Sequence, residues 1–312
     1  MKLKKIVAFV LLSFGLISLL AFSEKDQTNE IKAQKTLKRI VIDPGHGGNP
    51  RPKQGNYGAS SKWIDEKDAG LAVAFKLKKV LEESMPDVEV VLTRTTDIFD
   101  DVRTKAKKAN DARGDLFISL HCNDVSAIAH KEIIDHKTVT TKRKGKKVTK
   151  KVPVYKTYYT PNPAHGTETY IWGIGKNDEK EEAIGESNFV DSSIINFDPK
   201  DPAQRLAISL RTEKYAERSR LLAATVEEEF TKQGRVSRGV KQRDEKGIWV
   251  LQAVAMPAIL VEMGFLSYPE EAQYISSEDG QQEIAEAIGR AVKRYKFSLD
   301  NKMNNGKPQA KK

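Results

Sequence analysis

Cysteine is nearly absent. Cys122 is the only one in 312 residues, so no internal disulfide framework can hold the chain together. Histidine is almost as scarce, with five. None of them falls in a His-Glu-x-x-His pattern, which removes the helical zinc-protease motif as a source of metal chemistry. No internal repeat recurs, which sets aside solenoid and propeller architectures. Residues 137–156 contain no acid at all, against eight Lys and Arg143. That run accounts for most of the formal net charge of +10: the first 23 residues carry +3, residues 137–156 carry +9 and residues 298–312 carry +3, which leaves the rest at −5. A mildly acidic body argues against a nucleic-acid-binding domain, whose basic surface would spread over the fold.

What is present begins with Lys2, Lys4 and Lys5 ahead of an apolar run from Ile6 to Phe22, relieved only by Ser13, Gly15 and Ser18. Ala21-Phe22-Ser23 offers the small residues that a signal peptidase reads, so residues 1–23 are expected to be a secretory signal. The competing reading is an uncleaved anchor, because the run approaches the length of a short membrane span. No cysteine follows it, as a lipid-anchored form would need. Residues 24–36 are polar and unpatterned and read as a linker.

Ile40-Val41-Ile42 is a consecutive β-branched run suited to a strand buried on both faces, and Pro44 with the following glycines ends it. His46 is therefore presented on a loop at the strand's carboxyl end, where open α/β sheets collect ligands. The Gly-, Pro-, Asn- and Ser-rich residues 49–62 predict an irregular loop. Leu71, Phe75, Leu77, Val80 and Leu81 then recur at helical spacing over about 65–84. Glu66 sits in the first turn of that helix, where exposed amides favour a carboxylate in any case. A strand at 88–93 ends at Arg94, a helix follows over 102–112, and Leu116 to Asn123 is again a strand. Alternation puts His121 and Asn123 on one face and Cys122 on the other, so Cys122 reads as a small buried residue.

Two insertions interrupt this rhythm, at about 125–164 and 176–210. In the first, Thr138-Val139-Thr140-Thr141 and Val148-Thr149 flank a Lys/Arg run with a central Gly145, which predicts a protruding basic hairpin; a disordered solubilising segment is the alternative. His130 and His136 are expected to be solvent-exposed there. The second begins with acidic residues 178–182 and ends near Asp201-Pro202. Strands are expected at 167–172, 248–251 and 258–263, and helices at about 214–232 and 281–297, before a frayed basic tail at 298–312. Strands alternating with helices over 37–297 predict a single α/β domain.

Three buried-looking strands thus end in or carry a group that apolar surroundings do not hold idly: His46, His121 and Glu262. Burying Glu262 as an ion within Ala258-Ile259-Leu260-Val261-Glu262-Met263 is costly unless it is paired, metal-bound or protonated. A salt bridge to an unidentified Arg is the plain alternative. Two histidines and a carboxylate are also a familiar ligand set for a catalytic zinc with one open position. Glu66 would supply the third ligand, leaving Glu262 as general base and acid.

Asp43-Pro44-Gly45-His46-Gly47-Gly48, Glu66-Lys67-Asp68, Leu92-Thr93-Arg94, Ser119-Leu120-His121-Cys122-Asn123, Gly166-Thr167-Glu168-Thr169-Tyr170 and Val261-Glu262-Met263-Gly264-Phe265-Leu266-Ser267 occur in one order. That order resembles the zinc-dependent N-acetylmuramoyl-L-alanine amidases (amidase type 3 family). The resemblance implies a mixed, mainly parallel central sheet flanked by helices, one Zn2+ on His46, Glu66 and His121, and Glu262 as the catalytic residue. It also implies peptidoglycan as substrate, cut between N-acetylmuramic acid and L-alanine of the stem. A peptidase acting within the stem, or a catalytically silent wall-binding or activator protein, is the alternative. Arg94 and Asn123 are expected either to orient the site or only to fix loops. His165 is given a loop role, and Tyr268 stands where the family often has Asn. An exported, periplasmic location is expected, with a possible activator protein in the envelope, no nucleic-acid partner, and membrane contact only through an uncleaved leader. The acidic stretch 178–195 is expected to autoinhibit by covering the zinc.

Overall fold

A six-stranded sheet organises the chain in the computed structural model, which describes residues 37–48, 58–187, 198 and 200–305. The strands are β1 (Arg39–Pro44), β2 (Glu89–Leu92), β3 (Leu116–Asn123), β6 (Thr167–Tyr170), β7 (Ser237–Lys241) and β8 (Ala258–Phe265). Their order across the sheet is β2-β1-β3-β8-β6-β7. β1 runs parallel to β2 and β3, β3 parallel to β8, and β6 parallel to β7, whereas β6 and β8 are antiparallel. The mixed, mainly parallel sheet expected from the sequence is thus present. The remaining two strands, β4 (Ile128–Arg143) and β5 (Lys146–Thr160), pair only with each other as an antiparallel hairpin, so the basic insertion is ordered as two arms around Lys144-Gly145.

Helices cover both faces. Val41, Phe117 and Leu260 pack on one face against Ala106 and Ala109 of α2 (Val102–Asp111) and Val250 and Leu251 of α5 (Trp249–Ala253). Ile40, Ile42, Ile118 and Leu120 alternate to the other face and are fully buried there, where α1 (Glu66–Ser84) lies along β1 and β3. The continuous apolar runs of β1, β3 and β8 follow from this two-sided cover. α3 (Asn177–Glu186) packs on α5 and on α4 (Pro202–Lys232), and α6 (Pro269–Ser276) packs beside β8. The closing helix is α7 (Glu278–Asn305). Residues 37–296 form one compact unit. Among the described residues, no helix is long and apolar enough to cross a membrane.

Three expectations are corrected, and one unassigned stretch gains a structure. Of Ile248-Trp249-Val250-Leu251, read as a strand, Trp249 to Leu251 belong to the short helix α5 and Ile248 is its N-cap, because a short apolar run fits a buried helical turn equally well. The long helix starts at Pro202 rather than near 214. Asp201 caps it by accepting from the Ala203 amide, with Pro202 in its first turn. The acidic start of the second insertion is itself a helix, α3. The tail expected to fray from 298 continues as helix to Asn305. The leader 1–23, the linker 24–36, most of the loop at 49–62 and residues 188–197 lie outside the described residues.

Candidate metal centre

The turn after β1 is shaped by close approach. Gly45 donates its amide to the Leu120 carbonyl, and a Cβ there would lie 2.6 Å from His121 Cε1, so only glycine leaves room for the imidazole. His46 follows with φ at 52°, a left-handed conformation uncommon for a side-chain-bearing residue. Beneath this turn Arg94, 2% exposed, donates to four carbonyls: Pro44 (3.1 Å), Gly45 (2.9 Å), Thr96 (3.1 Å) and Lys67 (2.7 Å). The last belongs to the first turn of α1. Arg94 therefore braces the loop carrying His46 against the helix start carrying Glu66, the loop-fixing role of the two expected from the sequence. Asp43 anchors the strand end below, accepting from Thr93 (2.5 Å), Lys105 (2.7 Å) and Ser119 (2.8 Å).

His46, Glu66 and His121 converge. Their ligand atoms all lie within 4.8 Å of one another. Glu66 Oε1 is 2.8 Å from His121 Nδ1 and Oε2 is 3.2 Å from His46 Nε2, while the Cys122 and Ala59 amides donate to the same two oxygens. The imidazoles meet edge to face, with centroids 5.0 Å apart. Burial alone would raise the Glu66 carboxyl, but His121 and then His46 hold it well below the usual carboxylate range. Burial alone would lower His121, and Glu66 outweighs that and raises it. A carboxylate kept ionised between two imidazoles is a donor set that suits a transition-metal ion with a position left open.

Glu262 is the register neighbour of His121 across β3 and β8, and of Glu168 across β8 and β6. Its Oε2 is buried without a hydrogen-bond partner, and among the described residues it forms no ion pair, so the salt-bridge alternative fails. Burial raises its pKa to about 7, against the pull of His121. A buried carboxylate oxygen left without a protein partner points to a guest in the adjoining space. That space is a cavity of about 420 Å3 lined by His46, Glu66, His121, Asn123, Arg243 and Glu262 among others. All four residues singled out from the sequence thus share one cavity.

Two neighbours were not singled out as site residues. Glu168 accepts from Asn123 (3.3 Å) and Tyr170 (2.8 Å) and pairs with Arg238; its place in an alternating Thr-Glu-Thr-Tyr strand was the available signal. Arg243 lies over the Tyr170 ring at 4.8 Å and lines the cavity, and nothing in its surrounding sequence marked it. Cys122 is buried, with its thiol pushed well up by burial. His130 is half-buried against Tyr158 and Thr160, His136 is exposed, and neither joins the cluster. His165 stacks on Tyr268, the residue that departs from the family pattern, at 4.8 Å between centroids. The described residues of 176–210 do not line the cavity. Glu179, Glu182 and Glu186 face a separate cleft of about 770 Å3 with Arg103, Lys107 and Arg113, and Lys180 is locked under α5 by the Leu251, Val254 and Met256 carbonyls at 2.8, 2.5 and 2.8 Å.

The chain is 28% identical over 259 residues to the N-acetylmuramoyl-L-alanine amidase AmiC of Escherichia coli O6:H1, covering 82% of this chain and 52% of that protein. It spans about half the length of the first curated relatives it matches. Among solved structures, it superposes on the N-acetylmuramoyl-L-alanine amidase from Clostridium difficile 630 with a TM-score of 0.52 at 26% identity, covering 86% of this chain and 100% of that one. A second, the CwlD amidase of Clostridioides difficile in complex with the GerS lipoprotein, shares the fold with a TM-score of 0.51 at 22% identity, covering 84% of this chain and 100% of that one. The family model described as N-acetylmuramoyl-L-alanine amidase matches residues 40–294, which include all four converging side chains and both insertions, and the chain belongs to that family.

Proposed function

We propose that this chain is a zinc-dependent peptidoglycan hydrolase that cuts the amide between the lactyl group of N-acetylmuramic acid and the L-alanine of the stem peptide. The observation that carries the reading is the meeting of His46, Glu66 and His121 with the unpartnered Glu262 carboxylate in one cavity. His46, Glu66 and His121 would hold one Zn2+. When bound, zinc supplies Lewis acidity that lowers the pKa of a water and polarises the amide carbonyl.

The chain's own part is proton handling and positioning. Glu262 takes a proton from the attacking water as the new C–O bond forms, and returns it to the alanine nitrogen as the C–N bond breaks, leaving a lactyl carboxyl and a free amine. Its burial keeps the carboxyl poised to exchange a proton near neutrality. Glu168 holds the Asn123 amide beside it, and Arg94 keeps the two ligand-bearing segments in register.

Export to the periplasm follows from the leader expected at 1–23, and cell-wall remodelling or daughter-cell separation is the setting. An envelope activator is a fitting partner class, as CwlD is complexed with a lipoprotein. Self-covering by 178–195 draws no support from the described residues, which face the other cleft.

The test compares the chain lacking residues 1–23 with its E262Q form, measuring zinc content and digestion of purified sacculi. Zinc retained by both, with new L-alanine amino termini and intact glycan from the parent only, is the expected result. Cleavage between stem residues would replace this reading with a stem peptidase. Bound zinc without any cleavage would point to a silent wall-binding protein.

A further inference from the structure

The hairpin β4–β5 is an arm without a core. No residue of either strand is buried, and the two strands pack chiefly on each other. Arms of 16 and 15 residues reach roughly 50 Å at about 3.3 Å per residue. An isolated two-stranded ribbon is marginal in water, so its upkeep calls for a use outside the fold. The arm also starts from the metal cavity. Asp124 lines that cavity and β4 begins four residues later, at Ile128; the returning strand leads to β6, whose Glu168 pairs in register with Glu262.

The chemistry of the arm is ordered along one face. Lys147, Lys151, Tyr155 and Tyr159 recur every fourth residue of β5 and therefore share a face. The register irregularity between Ile133 and Asp135 lies on β4, so the β5 stripe runs unbroken. Across from it on the same face stand Lys142, Thr138, Ile133 and Ala129. Tyr155 and Tyr159 are 53% and 68% exposed, and Ile133 is 52% exposed. Lysine on open strand edges also guards against edge-to-edge pairing. That role needs only scattered charge of either sign, whereas residues 137–156 carry nine cations and no acid. Exposed tyrosines toward the base of the hairpin and cations toward its tip match a polymer of sugar rings and carboxylates: flat apolar ring faces stack on aromatics, and carboxylates pair with ammonium groups.

We infer that this face of the hairpin is a second binding surface for the polymer substrate itself, holding the glycan rings and stem-peptide carboxylates of peptidoglycan outside the catalytic cavity. The inference rests on the proposed function for the identity of the polymer, not for the existence of the surface. The arm would keep the enzyme on an insoluble wall while the cavity acts on one stem.

The experiment is co-sedimentation of the E262Q chain, lacking residues 1–23, with purified sacculi, which reads binding without turnover. K142Q/K147Q/K151Q removes three cations from the stripe face, K137Q/K150Q/K156Q removes three from the opposite face, and Y155S/Y159S removes the aromatics. Stripe-face lysine loss and tyrosine loss are each expected to weaken binding about tenfold. The opposite-face triple weakens it less, and binding by the parent declines at high salt. Equal weakening by both lysine triples, or none by either stripe variant, overturns the inference. So does a parent that ignores sacculi yet sediments with vesicles containing phosphatidylglycerol, which would make the partner a membrane. Far-UV circular dichroism and the unfolding midpoint of each variant verify that the domain beneath is intact. If stripe-dependent binding persists while the active parent releases no L-alanine amino termini, the proposed reaction fails and the binding surface stands.

Discussion

Replacing Arg94 by lysine keeps the charge and removes the fork, and the structure sets the size of the effect. The guanidinium serves four carbonyls on three segments: the end of β1, the turn after β2 and the first turn of α1. A lysine ammonium at the same depth carries three donors that diverge from a single point, so it can serve at most three of the four. At least one carbonyl is then left in a site 2% exposed, so R94K should lose about 1–3 kcal/mol of stability. The loss is not evenly spread. Pro44 and Gly45 precede His46, and Lys67 follows Glu66, so the two ligand-bearing segments lose their shared brace. Zinc affinity should fall about 10–100-fold, the usual effect of removing outer support from metal ligands. Urea unfolding of the metal-free chain and zinc competition against a chromophoric chelator measure the two quantities separately. R143K at the hairpin tip, exposed and away from the core, is the control and should stay within about 0.5 kcal/mol of the parent. An R94K protein as stable as that control, with unchanged zinc affinity, would refute the bracing argument.

Glu229, 3% exposed, takes Lys232 (2.6 Å), Arg290 (3.0 Å) and Arg294 (2.8 Å) and so ties α4 to α7. Burial opposes ionisation, yet these cations lower its pKa to about 2. A folded-state pKa below the unfolded one contributes stability that is present above the unfolded value and lost as pH falls through the folded one. E229Q should therefore cost about 1–2 kcal/mol at neutral pH, discounted because its partners are half-exposed. It should also flatten the loss of stability between about pH 4.5 and 2, as followed by urea midpoints across that range. Replacing Lys180 by methionine keeps the stem volume but leaves the Leu251, Val254 and Met256 carbonyls without their ammonium. Relief from burying a charge offsets part of that, so the net loss should be about 2 kcal/mol. Hydrogen exchange should speed up across α3 first, and unchanged protection there would argue against Lys180 as its anchor.

The strands that carry the site were legible because burial on both faces writes itself as uninterrupted apolar sequence: β1, β3 and β8 are buried along almost their whole length. Shorter apolar runs carry less information. Ile248-Trp249-Val250-Leu251 contains β-branched and aromatic residues that favour strand, but from Trp249 it is wound as α5, with Val250 and Leu251 against the sheet and Trp249 42% exposed. The ammonium of Lys180, some seventy residues earlier, holds the Leu251 carbonyl of that helix and the Val254 and Met256 carbonyls just after it, a tertiary contact with no local trace. The start of α4 is a different kind of failure. Asp201-Pro202 is a local helix-entry signal that lay inside the stretch set apart as an insertion, ahead of the apolar spacing that marked the helix.

The site divides in the same way. Each of His46, His121 and Glu262 stood out as a polar group against apolar strand sequence, and Glu66 joined them through motif order. Their convergence depends on parallel register, His121 beside Glu262 on adjacent strands, which sequence spacing alone does not supply. Arg94 shows where local reading stops. Its position after a strand suited a substrate-orienting cation as well as a loop clamp, and the difference lies wholly in which oxygens come within reach. Four backbone carbonyls and no cavity wall make it a clamp. Arg243, in an unremarkable loop sequence, reaches the cavity instead, so of these two arginines the one that best fitted a family motif braces the segments carrying His46 and Glu66, and the one that fitted none lines the cavity.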